Sequence, residues 1–370
     1  MKSKIIDAQI YSAQVTSKTI WLFISLKDVN NIEGWGEASL QGKESEVYKI
    51  KNDIFKIILN QNYTSPYDLK NKLPFSNIIE ACISSGLMQC LWDIQGQFEN
   101  KSISSFFGTQ RSTIDVYANF NRFTKDRSLA GVSKNAKKVA LQNFDFVKFA
   151  PFDEVNPKME TKEMLSAMRM GLDRIVRIKD IFGAKTKIMI DCHWRFDYEA
   201  SIELLKECKK YNLYWLECPI PENLENINSI RKLRSVANNF GIKLAGLEKK
   251  ILKEGFSKFL NAETYDVMMP DIKYAGGPDE MIEIEKLFLK NGVGFSPHNP
   301  TGPISHIQTL HVCSSVKENV LMEHQFEETS YFQKLLNNLA PKIVNGKSSL
   351  DTTVSGLGNS INKNVLKDLN

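Results

Sequence analysis

Six short apolar segments of this chain each end in a carboxylate or an imidazole, and this recurrence restricts the possible folds more than any other feature. The endings lie about 25 residues apart, and they are Asp191, Glu217, Glu248, Asp271, His298 and Glu323. A strand, a helix and two connecting loops need about that length, since a barrel of eight such units contains roughly 250 residues. The sequence therefore predicts a β/α barrel whose polar strand ends meet on one rim.

The segment over residues 188–197 shows how one of these units is built. Its first three residues are apolar, as in a buried strand, and Asp191 and His193 follow them. Because side chains alternate between the two faces of a strand, we expect Asp191 and His193 to point the same way and Cys192 to point the opposite way. A carboxylate and an imidazole would then share one site.

Composition and charge describe an ordinary globular protein. The chain has 370 residues, of which 42% are hydrophobic and 25% charged, with a net charge of +5. This balance predicts no nucleic-acid partner, and we expect neither a signal peptide nor a membrane span. The six cysteines form no Cys-x-x-Cys pair, so we expect reduced thiols, no structural zinc and a cytoplasmic location.

The first part of the chain has a different pattern from the barrel units. Alternating apolar and polar positions over roughly the first 60 residues predict a small antiparallel sheet, and a helical stripe follows from Ile79 to Ile94. Strand and helix alternation begins at Ile114 and stops after Glu323. We therefore predict an N-terminal α+β domain over residues 1–113, the barrel over residues 114–328, and a C-terminal segment over residues 329–370 that packs back on the first domain.

Asp191, Glu217 and Glu248 follow three successive predicted strands and offer only oxygen ligands. Carboxylates that lie close together raise one another's pKa, so a cation is needed to keep all three ionised. Mg²⁺ suits a few carboxylates with its other positions left to water or substrate. The sequence thus predicts an Mg²⁺ site, with separate helix caps or surface acids as the alternative. Cys218 is expected to point away from this site, since it alternates with Glu217.

Asp271 and His298 end consecutive predicted strands, so we expect them to be neighbours. A carboxylate bonded to one ring nitrogen fixes the tautomer and leaves the other nitrogen as a general base. His298 lies in the segment over residues 296–303, whose three prolines and one glycine predict a rigid loop. The other histidines lack such a setting and are interpreted as structural: His306, His311 and His324.

Together these residues resemble the mandelate racemase subgroup of the enolase superfamily. The resemblance extends over nearly the whole chain and rests on Asp191, Glu217, Glu248, Asp271, His298, Gly276, Gly277, Glu323 and the segment over residues 91–96. It implies a modified (β/α)7β TIM-type barrel with an N-terminal α+β capping domain completed by the C-terminal segment. It also implies a homo-oligomer, either a dimer or an octamer, and a small carboxylate substrate bound by Mg²⁺.

The resemblance also implies a role for each polar strand ending. His298 is the base that removes the α-proton, Asp271 orients it, and Glu323 contacts the substrate carboxylate or the enediolate. His193 matches the general acid of galactonate-type sugar acid dehydratases, where loss of the 3-hydroxyl gives a 2-keto-3-deoxy acid. We therefore expect an Mg²⁺-dependent sugar acid dehydratase.

Lys148, on the second predicted barrel strand, has two interpretations. If it matches the first lysine of the racemase pattern, it contacts the substrate carboxylate, and the lysine base is missing because Phe149 and Ala150 follow it. In a different register, Lys148 is itself the base. A racemase, epimerase or cycloisomerase with the same chemistry is therefore the alternative function, and a family member that binds metal without turnover is another.

Six further residues are candidate substrate contacts: Arg195, Asn299, Asn121, Arg122, Glu37 and Trp35. Arg195 is on the predicted face of Asp191 and either reaches the substrate or is solvated at the rim. Asn121 and Arg122 end the first barrel strand.

Trp35 and Glu37 precede a short loop over residues 39–43. In relatives, loops of the capping domain close over the substrate, and such lids exclude water and determine specificity. Turn formation alone also explains the glycine in this loop.

Overall fold

The computed structural model describes residues 2–318 and 320–369. In this part of the chain, the N-terminal sheet has four strands in the order β3-β2-β1-β4, and every neighbouring pair is antiparallel. The strands are β1 (Ser3–Gln14), β2 (Ile20–Asp28), β3 (Glu33–Glu37) and β4 (Asn62–Tyr63). The helices that pack with them are α1 (Glu44–Ile58), α2 (Pro66–Lys70) and α3 (Ile78–Glu99). The predicted α+β capping domain is confirmed.

Close packing of β3 on α3 explains why the sequence reads Gly-Trp-Gly in this strand. A side chain at Gly34 would collide with the carbonyl oxygen of Cys90, and one at Gly36 with that of Gly86. Glycine permits such close backbone approach. The helix and the sheet of the capping domain therefore form one packed unit.

Eight parallel strands form the barrel within residues 2–318 and 320–369. They are β5 (Thr113–Asn119), β6 (Phe146–Phe149), β7 (Lys187–Asp191), β8 (Trp215–Glu217), β9 (Lys243–Gly246), β10 (Val267–Met268), β11 (Gly294–Phe295) and β12 (Leu321–Gln325). Each strand from β5 to β10 pairs with its successor in the chain, and β12 pairs with β5. Ser296 closes the remaining seam by donating to the carbonyl oxygen of Leu321 at 2.5 Å.

One helix lies between each pair of consecutive barrel strands. These helices are α4 (Leu129–Ala140), α5 (Thr161–Phe182), α6 (Tyr198–Cys208), α7 (Ile227–Asn239), α8 (Leu252–Asn261), α9 (Pro278–Lys290) and α10 (Pro303–Ser315). In α5 the buried Met164, Met168, Leu172 and Ile175 fall on one stripe, as expected for a helix that covers a barrel. The predicted (β/α)7β barrel is confirmed.

The C-terminal segment contacts both domains. It contains α11 (Tyr331–Lys334), β13 (Ile343–Val344), β14 (Lys347–Ser349) and α12 (Lys363–Lys367). Lys363 pairs with Glu33 of the capping domain at 2.6 Å, and the N–H of Leu357 donates to Asp93 of α3 at 2.8 Å. In addition, β14 pairs antiparallel with the beginning of β5, so the segment also extends the barrel sheet, which the sequence did not predict.

In the described part of the chain, no helix combines the length and the apolar character that a membrane span requires. The six cysteines are all buried and unpaired.

Candidate active site

A cavity of about 380 Å³ lies at the carboxyl ends of the barrel strands. The capping domain contributes to its wall through residues 19–21 at the start of β2 and residues 39–41 after β3. The barrel contributes most of the charged side chains. Barrel enzymes place their active sites at this end of the strands, so the cavity is the candidate active site.

Asp191 and Glu217 lie side by side because they are paired residues of β7 and β8. Both are buried, as is Glu248 after β9. Lys148 on β6 contacts Oε1 of Glu217 at 2.7 Å and Oε1 of Glu323 at 2.9 Å. The structure therefore brings the three predicted ligands to one end of the barrel, with Lys148 between two buried carboxylates.

The donor set suits a hard divalent cation. Burial raises the pKa of Glu217 well above its usual range, and the charges of Asp191 and Glu323 add to this rise, although Lys148 opposes it. A second cation beside these oxygens would favour the ionised form, and oxygen ligands of this kind are those that Mg²⁺ prefers. The residues present therefore fit a divalent metal ion.

Cys218 does not point away from the carboxylates, so this expectation was wrong. Its sulfur belongs to a group of potential ligand atoms, with Glu217 and Glu248, that lie within 4.8 Å of one another. Strand β8 ends at Glu217, and Cys218 adopts a left-handed backbone with φ of 45°. Strand alternation therefore no longer applies at this residue.

Asp271 and His298 are in direct contact, as expected of a base and its orienting carboxylate. Nδ1 of His298 lies 2.8 Å from Oδ2 of Asp271, and its Nε2 lies 3.3 Å from Oε2 of Glu248. Burial lowers the pKa of His298, but the charge of Glu248 and the hydrogen bond to Asp271 outweigh this, so the pKa is raised above its ordinary value. His298 lines the cavity.

Lys273 is a cavity residue that sequence reasoning missed. Its Nζ contacts the same Oδ2 of Asp271 at 2.8 Å, and its backbone N–H donates to Oδ1 at 2.9 Å. The side chain is buried, yet it lines the cavity. The available signal was a charged residue two positions after a strand-end acid, which is the spacing of Asp191 and His193.

His193 lies beside Asp191, but through a turn rather than strand alternation. Strand β7 ends at Asp191, and His193 has φ of 48°. Its N–H donates to Oδ1 of Asp191 at 2.9 Å, and its Nε2 lies 2.7 Å from Oδ2. Burial lowers the pKa of His193, but Asp191 outweighs this and the pKa is raised. The same pairing lowers the pKa of Asp191 to about 2, against the effect of burial.

His193 and His298 face the cavity from opposite walls. They follow β7 and β11, which are four strands apart in either direction around the closed order of eight strands. Both side chains line the cavity. A bound molecule can therefore meet one imidazole on each side.

Glu323 is buried and fully hydrogen bonded. Its Oε1 accepts from Asn119 at 2.6 Å, and its Oε2 accepts from the N–H of Asn299 at 2.9 Å. The side-chain amide of Asn299 donates to the backbone carbonyl of Glu323 and also contacts Nδ1 of His306. The prediction that Asn299 contacts the substrate was therefore wrong, because this residue turns away from the cavity and holds Glu323.

Glu37 and Trp35 do not line the cavity, so these two predicted substrate contacts were also wrong. Glu37 is buried and accepts hydrogen bonds from Thr301 at 2.7 Å and from the N–H groups of Gly302 and Ser305 at 2.9 and 3.0 Å. Trp35 is buried against Tyr11. Both residues are used in packing the capping domain on its neighbours.

Arg195 is also outside the cavity, which corrects the expectation that it shares the face of Asp191. Its guanidinium donates to the carbonyl oxygens of Val155 and Asp153 at 2.8 and 3.1 Å. The left-handed turn at residues 193–194 redirects the chain before Arg195.

Asn121 and Arg122 do line the cavity. Arg122 donates to Gln41 of the capping loop at 2.8 Å and pairs with Glu328 at 3.2 Å. The first barrel strand thus ends in a direct link to the capping domain.

The barrel, its cap and the buried carboxylates at the strand ends together define the architecture of this protein. Residues 131–365 match the family described as enolase C-terminal domain-like, and the chain belongs to this family. Membership of the enolase superfamily, with the mandelate racemase type of architecture, is therefore confirmed.

Known relatives agree with this assignment. The D-galactonate dehydratase of Xanthomonas campestris pv. campestris (strain B100) is 26% identical over 362 residues, covering 95% of this chain and 91% of that protein. The D-galactonate dehydratase of Cronobacter sakazakii is 23% identical over 320 residues, covering 85% and 80%. The solved mandelate racemase/muconate lactonizing enzyme of Jannaschia sp. CCS1 has the same fold, with a TM-score of 0.87, 19% identity and coverage of 99% and 97%.

Proposed function

We propose that this protein is an Mg²⁺-dependent dehydratase that converts a sugar acid into a 2-keto-3-deoxy acid. The observation that carries the proposal is the pair of carboxylate-bonded imidazoles, His193 and His298, on opposite walls of one cavity. Dehydration needs a base at one carbon and an acid at the next, and this arrangement supplies both. The two D-galactonate dehydratases similar to this chain support the same reaction class.

Asp191, Glu217 and Glu248 are the residues that would hold the metal ion. When bound, Mg²⁺ would stabilise the negative charge that develops on the substrate carboxylate. Lys148 adds a buried positive charge beside Glu217 and Glu323, and it is the residue we assign to the substrate carboxylate.

His298 is the proposed base. In the neutral tautomer whose Nδ1–H donates to Asp271, Nε2 carries the lone pair that accepts the α-proton. The α-proton beside a carboxylate is weakly acidic, so its removal depends on the positive charges around the developing anion. Glu323, held by Lys148 and Asn299, is the proposed contact for that anion.

His193 is the proposed acid. After His298 removes the α-proton, the electron pair forms a carbon–carbon double bond as the bond to the 3-hydroxyl breaks. His193 gives that oxygen a proton, so that water leaves, and the resulting enol tautomerises to the 2-keto acid. Asp191 raises the pKa of His193 against the effect of burial, which favours the protonated ring that this step requires.

The alternative of a racemase or epimerase is less well supported. Such an enzyme would use Lys148 as a second base if that residue were free to lose its proton. Burial lowers the pKa of Lys148, but Glu217 and Glu323 together raise it well above its usual range. Lys148 therefore stays an ammonium group and serves binding rather than proton removal. The homo-oligomeric state and the cytoplasmic location stay predictions.

The test is a screen of aldonic and aldaric acids with Mg²⁺, in which semicarbazide detects the 2-keto-3-deoxy product. The screen is run with the wild type, His193→Asn and His298→Asn, and the folding of each variant is checked by thermal melting. Product from the wild type and none from either variant supports the proposal. α-Deuterium exchange in D₂O without any product, and unaffected by His193→Asn, would instead establish racemase-type chemistry.

A further inference from the structure

The backbone immediately before Glu248 has an unfavourable conformation. Strand β9 ends at Gly246, and the next residue, Leu247, is fully buried with φ of 73°. A left-handed conformation is sterically unfavourable for a leucine, so it persists only where neighbouring groups hold it. Leu247 also lies within the step from Glu217 to Glu248, which is the longest in the series of strand endings.

Glu222, on the loop after β8, holds this peptide. Its Oε1 accepts the backbone N–H of Leu247 at 2.6 Å and the hydroxyl of Tyr265 at 2.8 Å. Lys250 then donates to the backbone carbonyl of Glu222 at 2.7 Å. The loop carrying Glu222 is thus bonded to the chain on both sides of Glu248. We refer to the carboxylate of Glu222 and the N–H of Leu247 as the Glu222 clamp.

The Glu222 clamp packs directly against Gly246. A Cβ at this position would collide with Oε1 of Glu222 and would lie 2.9 Å from the ring of Tyr265. Gly246 is therefore needed for the approach of the carboxylate, and the carboxylate is needed for the turn at Leu247. Three separate segments of the chain therefore pack together here as one local unit.

Glu248 itself has little else to fix its direction. Its carboxylate contacts Nε2 of His298 at 3.3 Å, and it has no closer ion pair or hydrogen bond in the described part of the chain. The orientation of its Cα–Cβ bond is therefore determined mainly by the preceding peptide. A change at Leu247 would move the carboxylate relative to Asp191 and Glu217.

We propose that Glu222 is a positioning residue: by holding Leu247 in its left-handed conformation, it directs the carboxylate of Glu248 into the metal site. The ligand role of Glu248 rests on the function proposed above, whereas the hold on Leu247 rests on the hydrogen bonds alone. Metal sites depend on partners of this kind, and their loss weakens metal binding by about 10- to 100-fold.

The first experiment needs no metal. Hydrogen exchange of the segment over residues 243–250 is measured in metal-free wild type, Glu222→Ala and Glu222→Gln. Glutamine keeps an acceptor oxygen, so Glu222→Gln should preserve the protection of the Leu247 amide, while Glu222→Ala should speed its exchange strongly. Equal protection in wild type and Glu222→Ala would overturn the hold on Leu247.

The second experiment measures Mn²⁺ affinity of the same proteins by electron paramagnetic resonance. We expect Glu222→Ala to raise the Kd at least about tenfold and Glu222→Gln to leave it within about threefold of the wild type. Faster exchange in Glu222→Ala with wild-type Mn²⁺ affinity would overturn the positioning role. A wild type that binds no Mn²⁺ would overturn the proposed metal site as well, and the exchange data would still report on the clamp.

Gly246→Ala provides a second route if Glu222→Ala fails to fold. The added methyl group displaces the carboxylate without removing it, so Mn²⁺ affinity should again fall, whereas unchanged affinity would contradict the proposal. Tyr265→Phe is the matched control, because it removes one donor to Glu222 and leaves the bond to Leu247. We expect its Mn²⁺ affinity to stay within about threefold of the wild type, well short of the loss that follows removal of an outer ligand partner.

Discussion

Two regions of this protein shift the pKa of a buried histidine in opposite directions. At the cavity, His193 and His298 are buried beside carboxylates, and these raise the pKa of both rings although burial opposes the change. On α10, burial without a carboxylate lowers the pKa of His306 to about 3 and that of His311 to about 4. Burial alone therefore favours the neutral imidazole, and a directly contacting carboxylate favours the protonated one.

The largest expected effect follows from replacing His298, the proposed base at the cavity. His298→Asn should lower the rate of dehydration by about 10³- to 10⁴-fold, because His298 is the group assigned to take the α-proton. The rate is measured as 2-keto-3-deoxy product formed per unit time. The matched control, His311→Asn, makes the same substitution on α10 and should keep kcat within about threefold. Equal losses of activity in the two variants would contradict the difference between the cavity histidines and those on α10.

His193→Asn should separate the two proton transfers. We expect the rate of water loss to fall by about 10²- to 10³-fold, while exchange of the α-proton with D₂O continues, since His298 and Asp271 remain. The two rates are followed in one sample by NMR. Loss of both rates together in a folded variant would contradict the assignment of His193 as the acid.

Lys273→Met tests whether the contact between Asp271 and His298 depends on Lys273. Oδ2 of Asp271 is shared by His298 and Lys273, so loss of the ammonium group should let Asp271 shift and misplace the base. A misplacement of this kind costs about 10- to 100-fold in kcat. Lys249→Met, at a lysine that lines the same cavity above the ring of Trp194, is the control and should change kcat less than about threefold. Similar losses in both variants would indicate a general effect of cavity charge.

The smallest effect concerns the stability of the α10 region. His311 accepts the N–H of Ser104 on Nδ1 and donates to the carbonyl of Leu357 from Nε2, both at 3.3 Å, so the folded state requires the neutral ring. Its folded-state pKa of about 4 lies below the ordinary 6.5 of the unfolded chain. Below pH 6.5 the unfolded state therefore binds a proton that the folded state does not, and stability falls as the pH falls.

This contribution is at most about 1.4 kcal/mol per pH unit, which gives about 2 kcal/mol between pH 6.5 and pH 5. Urea unfolding midpoints of the wild type and His311→Gln at pH 7 and pH 5 measure it. The loss of stability on acidification should be smaller in the variant. An identical loss in both proteins would show that His311 does not titrate in this range.

The barrel and its cap were predictable because the repeat of apolar segments with polar endings is a local property of the sequence. The directions of side chains beyond the strand ends were not predictable. Cys218, His193 and Leu247 all have positive φ values, so strand alternation fails at the residues that form the site. Arg195 follows such a turn and leaves the cavity for this reason.

Tertiary packing explains the remaining errors. Trp35 and Glu37 precede a capping loop, which suggested contact with a substrate, but the close approach of β3 to α3 buries them. Lys273 was missed although it lies only two residues after Asp271, because strand β10 ends at Met268 and strand alternation does not give the direction of a side chain in the turn that follows. The burial of Trp35 and Glu37 depends on contacts between distant segments, and no local pattern encodes them.

The carboxylate of Glu37 accepts hydrogen bonds from Thr301, Gly302 and Ser305, and so it joins the capping sheet to the first turn of α10 in the barrel. A buried charge with several donors is costly to separate from them, so the two domains are not expected to rotate against each other during turnover. Entry and exit then depend on residues 39–41 and the hydrogen bond between Gln41 and Arg122. Lid motions of this kind occur in microseconds to seconds, so we expect ligand exchange to need a local rearrangement of this loop and no rotation of the domains.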